Sequence, residues 1–136
     1  MALDYGRRRI GVAVTDPLGI LAQPLETIEH GRPGAVPALE RIAALVREYE
    51  VGRIVLGLPL HMNGQAGVET EEVRRFGRSL EQHTALPVAY FDERWTTIEA
   101  QRSLQEAGLR AEQQRGPADR VAAALLLRAY LECAAR

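Results

Sequence analysis

Four acidic residues of this chain stand where an element meets a loop. Asp4 closes the first apolar run, Asp92 and Glu93 close a later one, and Asp119 falls in the first turn of the closing helical segment. Clustered carboxylates repel and raise one another's pKa. A divalent cation between them removes that conflict, and an all-oxygen ligand set suits Mg2+ or Mn2+. Two such ions ~3.5–4 Å apart can hold the attacking and leaving oxygens of a phosphodiester. Separate structural roles are the alternative. An acid in a first helical turn gains ~0.3–1 kcal/mol from the helix dipole. Spacing alone leaves both readings open.

Asp119 is the most informative of the four. Ala122, Leu126, Ala129 and Cys133 follow it at 3-4-3-4 spacing, which predicts that Asp119 shares an apolar stripe and turns toward the sheet. The dipole role has no need of that. Basic residues lie beside the acids. Arg7, Arg8 and Arg9 follow Asp4, Arg94 follows Glu93, and Arg120 follows Asp119. In a hairpin turn the first three could position phosphate, or simply face water. Arg94 and Arg120 could bind phosphate, or pair with the acids and lower their pKa.

The elements that must carry these residues follow from periodicity. Residues 1–5 and 10–14 read as strands joined by a tight turn at 6–9. Residues 20–29 give a third strand, and Pro24 places it at an edge. Leu39, Ile42, Ala43 and Val46 recur at helical spacing. "RIVLGLP" and "LPVAYF" read as strands buried on both faces. Between them, residues 68–83 form a helix with Val73, Phe76 and Leu80 inward. A capping box at Thr96 and Glu99 predicts a helix over 98–107, and Gly116-Pro117 opens the last one. A meander followed by alternating units predicts one α/β domain over residues 1–136 with a mixed five-stranded sheet.

Composition narrows the class. With 136 residues, 46% hydrophobic and 26% charged, the chain fits one ordinary domain. No apolar run approaches the ~18 residues of a membrane helix, and no secretory signal pattern is visible. The lone Cys133 makes no internal disulfide or zinc cluster, so a cytoplasmic setting is expected. His30, His61 and His83 lack metal-ligand spacing. A net charge of −1 means that any nucleic acid must be held by a local patch. All 17 basic residues are arginine, through bidentate phosphate binding or through base-composition bias.

Four ordered motifs, "ALDYGRRRIGVAVTD", "IVLGLPLHMNG", "FDERWTT" and "ADRVAAALLL", make the chain resemble the YqgF/RuvX family along nearly its whole length. These are bacterial proteins of ribonuclease H-like fold, described as nucleases of pre-16S ribosomal RNA and as Holliday junction resolvases. The resemblance implies a sheet of order 3-2-1-4-5, with strand 2 antiparallel and the site at the end of strand 1. It implies Asp4 as the central metal ligand and Asp119 as the acid of the last helix. Related resolvases carry another carboxylate at the end of the fourth strand, where this chain has Gly57-Leu58-Pro59. The resemblance therefore implies a relocated ligand, Asp92 or Glu93, reaching across the space left by Gly57, with Glu93 favoured for its longer reach and Asp92 as its neighbour. Asn63 and Gly64 match the family loop near substrate, and Arg9 matches within "RIG". His61 is not demanded by the motif. Trp95 replaces the usual leucine, either as hydrophobic fill or as a ring for base stacking worth ~1–3 kcal/mol.

The implied activity is phosphodiester hydrolysis with Mg2+ or Mn2+, two ions being expected, leaving 5′-phosphate products. RNA, in 5′-end maturation of pre-16S ribosomal RNA, is favoured over branched DNA. Three alternatives stand beside it: a Holliday junction resolvase, a non-catalytic ribosome-assembly factor, and a nucleotide phosphotransferase, which would need a second lobe. The partner expected is nucleic acid and not a membrane. Resolvase relatives suggest a homodimer, but no interface stripe stands out.

Overall fold

The structure, a computed structural model, describes residues 1–6, 8–30, 36–58, 68–92 and 115–134. Five strands, β1 (Ala2–Tyr5), β2 (Arg9–Thr15), β3 (Ala22–Glu29), β4 (Ile54–Leu58) and β5 (Val88–Asp92), form one sheet. Its order is β3-β2-β1-β4-β5. β2 is antiparallel to β1 and β3, while β1, β4 and β5 run parallel. The helices are α1 (Val36–Glu48), α2 (Val68–Thr84) and α3 (Arg115–Ala134). The helix expected over 98–107 lies outside the described residues. None of the described helices is long and apolar enough to cross a membrane.

Strand alternation divides the interior into two layers. Leu3, Tyr5, Ile10, Val12, Ile54, Leu56 and Leu58 point to one face, where α1 brings Leu39, Ile42 and Leu45 and α2 brings Val73, Phe76 and Leu80. Ala2, Ala13 and Val55 point to the other face, against Ala123, Leu126 and Leu127 of α3. The small residues Ala2 and Ala13 let α3 lie close to the sheet. Each of the large aliphatic side chains in the first layer contributes about 1.5–3 kcal/mol by leaving water.

Local chemistry fixes the edges and turns. Pro24 lacks an N–H and sits in the edge strand β3, where the register slips between Val12 and Ala13. Gly6 closes the β1–β2 turn by donating its N–H to the Arg9 carbonyl at 2.8 Å. A Cβ on Gly6 would lie 2.7 Å from that oxygen, so the turn requires glycine. A Cβ on Gly77 would meet Tyr90 and Leu56, which shows how closely α2 approaches β4 and β5.

Candidate active site

The register sets the surroundings of Asp4. It lies on β1 two residues after Ala2, so it shares the α3 face of the sheet. Across the antiparallel pair its partner is Gly11. On the parallel side Ala2 pairs with Val55 and Leu3 with Leu56, and the next step brings Asp4 level with Gly57. Both flanking positions on that face therefore lack side chains. The half-buried Asp4 stands between two glycines, at the carboxyl end of the first strand. In an open α/β sheet that is the end where sites form. Gly57 is the glycine the sequence reading singled out, and Gly11, within its apolar run, is a second one beside Asp4. Register makes Gly11 significant, and register is invisible in a single strand.

α3 covers this face, packing against β1, β2, β3 and β4. The stripe that meets the sheet is not the expected one. Cys133 is exposed and Ala122 only half-buried, while Ala123, Leu126 and Leu127 are buried and Tyr130 packs beside them. The apolar run Ala122–Leu127 supplies candidates on several sides of the helix, so spacing could not select the seam. Position 119 lies one turn before Ala123 along the helix. The half of α3 that follows Ala123 is tied down by the Arg53 guanidinium, which donates to the Tyr130 hydroxyl at 2.9 Å beside the start of β4. The half that contains position 119 extends away from that tie. The orientation expected for the Asp119 side chain lies outside what the structure describes.

Asp92 is the last residue of β5 and pairs with Leu58. It falls on the same face as Val88 and Tyr90, which pack against the α1–α2 layer, whereas Phe91 packs toward α3. Asp92 and Asp4 are thus on opposite faces of the sheet. Glu93 lies outside the described residues, as do Arg7, Asn63, Arg94, His61 and Trp95. Arg8 is exposed, and Arg9 and Arg120 are half-buried. Among the described residues, no three carboxylate, histidine or cysteine side chains gather into a metal-binding group. What the structure does provide for a cation is a half-buried carboxylate of the right chemistry flanked in register by two glycines.

On the far side of β1 lies a buried polar group outside the expected site. His30 follows β3 directly and is buried. Its Nε2 donates to the Gly6 carbonyl at 2.8 Å, and its own N–H donates to the Arg8 carbonyl at 2.8 Å. The Tyr5 ring is wedged between His30 and Phe76, with centroid separations of 5.4 Å and 4.7 Å. The Tyr5 hydroxyl is buried and, among the described residues, has no hydrogen-bond partner. Burial and the nearby Glu72 carboxylate push its pKa up to about 12. In the sequence His30 shows only that it lacks metal-ligand spacing. Only the pairing of β3 beside the β1–β2 turn brings it there.

A separate cleft of ≈ 550 Å3, lined by residues including Met1, Val14, Asp16, Glu48 and Tyr49, opens at the other end of the strands. Its carboxylate Asp16 is occupied by its own loop, accepting from the Ile20 and Leu21 N–H groups at 2.7 and 3.0 Å. None of the expected site residues lines it.

Residues 1–133 match the family described as "RuvX: Holliday junction resolvase". The chain is 46% identical over 132 residues to a Moorella thermoacetica protein, covering 97% of this chain and 93% of that one. It is 41% identical over 132 residues to a Lactococcus lactis protein, covering 97% and 92%. Both relatives carry the name "Putative pre-16S rRNA nuclease". Among solved structures, Thermus thermophilus RuvC in complex with a Holliday junction substrate matches with TM-score 0.56 and 12% identity, over 98% of this chain and 93% of that one. At that identity the likeness is one of fold.

Proposed function

The chain belongs to the RuvX family, and from that premise we propose that it is a nuclease hydrolysing phosphodiester bonds of RNA in the 5′-end maturation of pre-16S ribosomal RNA. The observation that carries this reading is the setting of Asp4, flanked by Gly11 and Gly57 on the face covered by α3. A carboxylate needs no flanking glycines for a structural role, while a phosphodiester and its cations need neighbours without side chains. The names carried by the relatives favour RNA as the substrate.

In this reading Asp4, Glu93 and Asp119 hold Mg2+ or Mn2+, with two ions expected. Asp92, on the opposite face, is a neighbour of Glu93 and not a direct ligand. Bound there, divalent cations supply Lewis-acid stabilisation of charge on the phosphate and activation of water. The chain's own residues do the rest. The β1–β2 turn presents Arg8 and Arg9 close to Asp4, where guanidinium groups position phosphate oxygens. Arg120, beside position 119, does the same from α3, and Arg7, Arg94 and Asn63 complete the substrate rim. Because Gly11 and Gly57 leave backbone at the floor, a phosphate can come near the sheet without steric conflict.

The family description favours a second substrate, the four-way DNA junction. One assay separates the two. Purified protein is given a precursor segment spanning the 5′ end of 16S ribosomal RNA, single-stranded RNA, duplex RNA and a four-way junction, each with Mg2+ and with Mn2+. Cleavage of the RNA precursor with 5′-phosphate products supports the proposal. Preference for the junction replaces RNA by branched DNA. Binding without cleavage under either metal leaves an assembly factor.

A further inference from the structure

We propose that His30 is a positioning residue of this site, clamping the turn that follows Asp4 so that Arg8 and Arg9 meet the substrate backbone in a fixed geometry. The proposal rests on the nuclease reading above and adds to it a residue outside the four family motifs. Three observations carry it. His30 is 7% exposed, so its imidazole is out of water and its hydrogen bonds are not exchanged with solvent. Its Nε2 lies 2.8 Å from the Gly6 carbonyl, and a carbonyl only accepts, so Nε2 carries the proton. Its backbone N–H holds the Arg8 carbonyl, so one residue grips the turn on both sides of position 7.

Gly6 and Arg9 are already joined by one hydrogen bond across the turn. That bond closes the hairpin at the end of the β1–β2 ladder, where Tyr5 pairs with Ile10. The His30 bonds tie it to the end of the neighbouring edge strand, because Arg9 pairs with Glu29 and His30 is next in the chain. The Tyr5 ring against the imidazole backs the same grip from β1. Asp4 is only two residues from Gly6, ~6.6 Å along the strand. A turn that tilts moves the arginines relative to the carboxylate, and misplacement by about 1 Å can cost on the order of 100-fold in rate.

The test uses the full chain with His30→Ala and His30→Gln. Glutamine carries an N–H donor the same number of bonds from Cα as Nε2. Three quantities are read well below the melting temperature: hydrogen exchange of the Gly6, Arg8 and Arg9 amides, affinity for an uncleaved oligonucleotide, and single-turnover cleavage. Expected for His30→Ala are faster exchange in the turn, a Kd raised on the order of 10-fold and cleavage slowed 10- to 100-fold. His30→Gln should recover most of each. Faster exchange with wild-type affinity and cleavage overturns the proposal, leaving His30 a structural residue. Unchanged exchange in His30→Ala overturns it too, since alanine keeps the backbone bond to Arg8 and the imidazole is then not what holds the turn. A wild-type protein that neither binds nor cleaves any polymer overturns the nuclease reading, and this one with it.

Discussion

Asp4 and Asp92 stand on opposite faces of one sheet, although both close a strand at its carboxyl end. Asp4 follows Ala2 onto the α3 face, and Asp92 follows Tyr90 onto the α1–α2 face. The two carboxylates therefore cannot be exchanged as ligands. We expect Asp4→Asn to lower cleavage by roughly 100- to 1000-fold or more, since several kcal/mol of charge stabilisation depend on it. Glu93→Gln should approach that loss, and Asp92→Asn should stay within about 10-fold of wild type. Single-turnover cleavage at saturating metal checks this, with circular dichroism confirming the fold. An inactive Asp92→Asn beside an active Glu93→Gln would reverse the ligand assignment.

Gly11 and Gly57 flank Asp4 without side chains, so adding one there should affect chemistry before stability. Gly11→Ala puts a methyl group level with the Asp4 carboxylate. The expected result is a loss of cleavage on the order of 10- to 100-fold, the scale of a 1 Å misplacement. The melting temperature should hold or rise slightly, because alanine in an extended strand reduces the freedom of the unfolded chain. Thermal unfolding and kinetics on the same sample separate the two effects.

The Tyr5 hydroxyl is buried without a partner among the described residues, and leaving such a group unsatisfied costs about 1–3 kcal/mol. Tyr5→Phe should therefore stabilise the protein, by up to several degrees in Tm, while keeping the ring between His30 and Phe76. Its pH signature has a definite sign. The folded-state pKa of Tyr5 is raised from 10.0 to about 12, so the unfolded chain loses this proton first. Stability should fall as pH rises from about 10 through about 12, and Tyr5→Phe should flatten that fall. Chemical denaturation at intervals across the alkaline range is the measurement.

Glu26 and Arg41 join the edge strand β3 to α1 through two hydrogen bonds, Nε to Oε2 at 2.9 Å and Nη2 to Oε1 at 2.7 Å. The Arg41 hydrogen bond holds the Glu26 carboxyl below its ordinary 4.5. The contribution is present above that ordinary value and lost as pH falls through the lowered one. Because the pair is substantially exposed, salt and water weaken it. Glu26→Gln should lower Tm by less than Tyr5→Phe raises it, and should remove part of the acid dependence in a low-salt melting series.

While the strand order came only with the family resemblance of its four motifs, the sequence by itself determined the succession of strands and helices, the edge position of β3 and the set of acids that could form a site. These are legible because alternation, helical spacing, Pro24 and the turn glycines are local signals. Asp4 was recognisable for the same reason: a carboxylate ending an apolar run has few local explanations. Tertiary structure decided which neighbours each acid has. The seam of α3 could not be read from Ala122–Leu127, since an unbroken apolar run offers several faces and only the sheet chooses one. Gly11 became part of the site through pairing with Asp4, and His30 through the edge strand that returns it to the Gly6 carbonyl. Asp92 and Glu93 are adjacent in sequence and similar in type. Strand alternation separates such neighbours, and the face assigned to Asp92 is a property of the folded sheet.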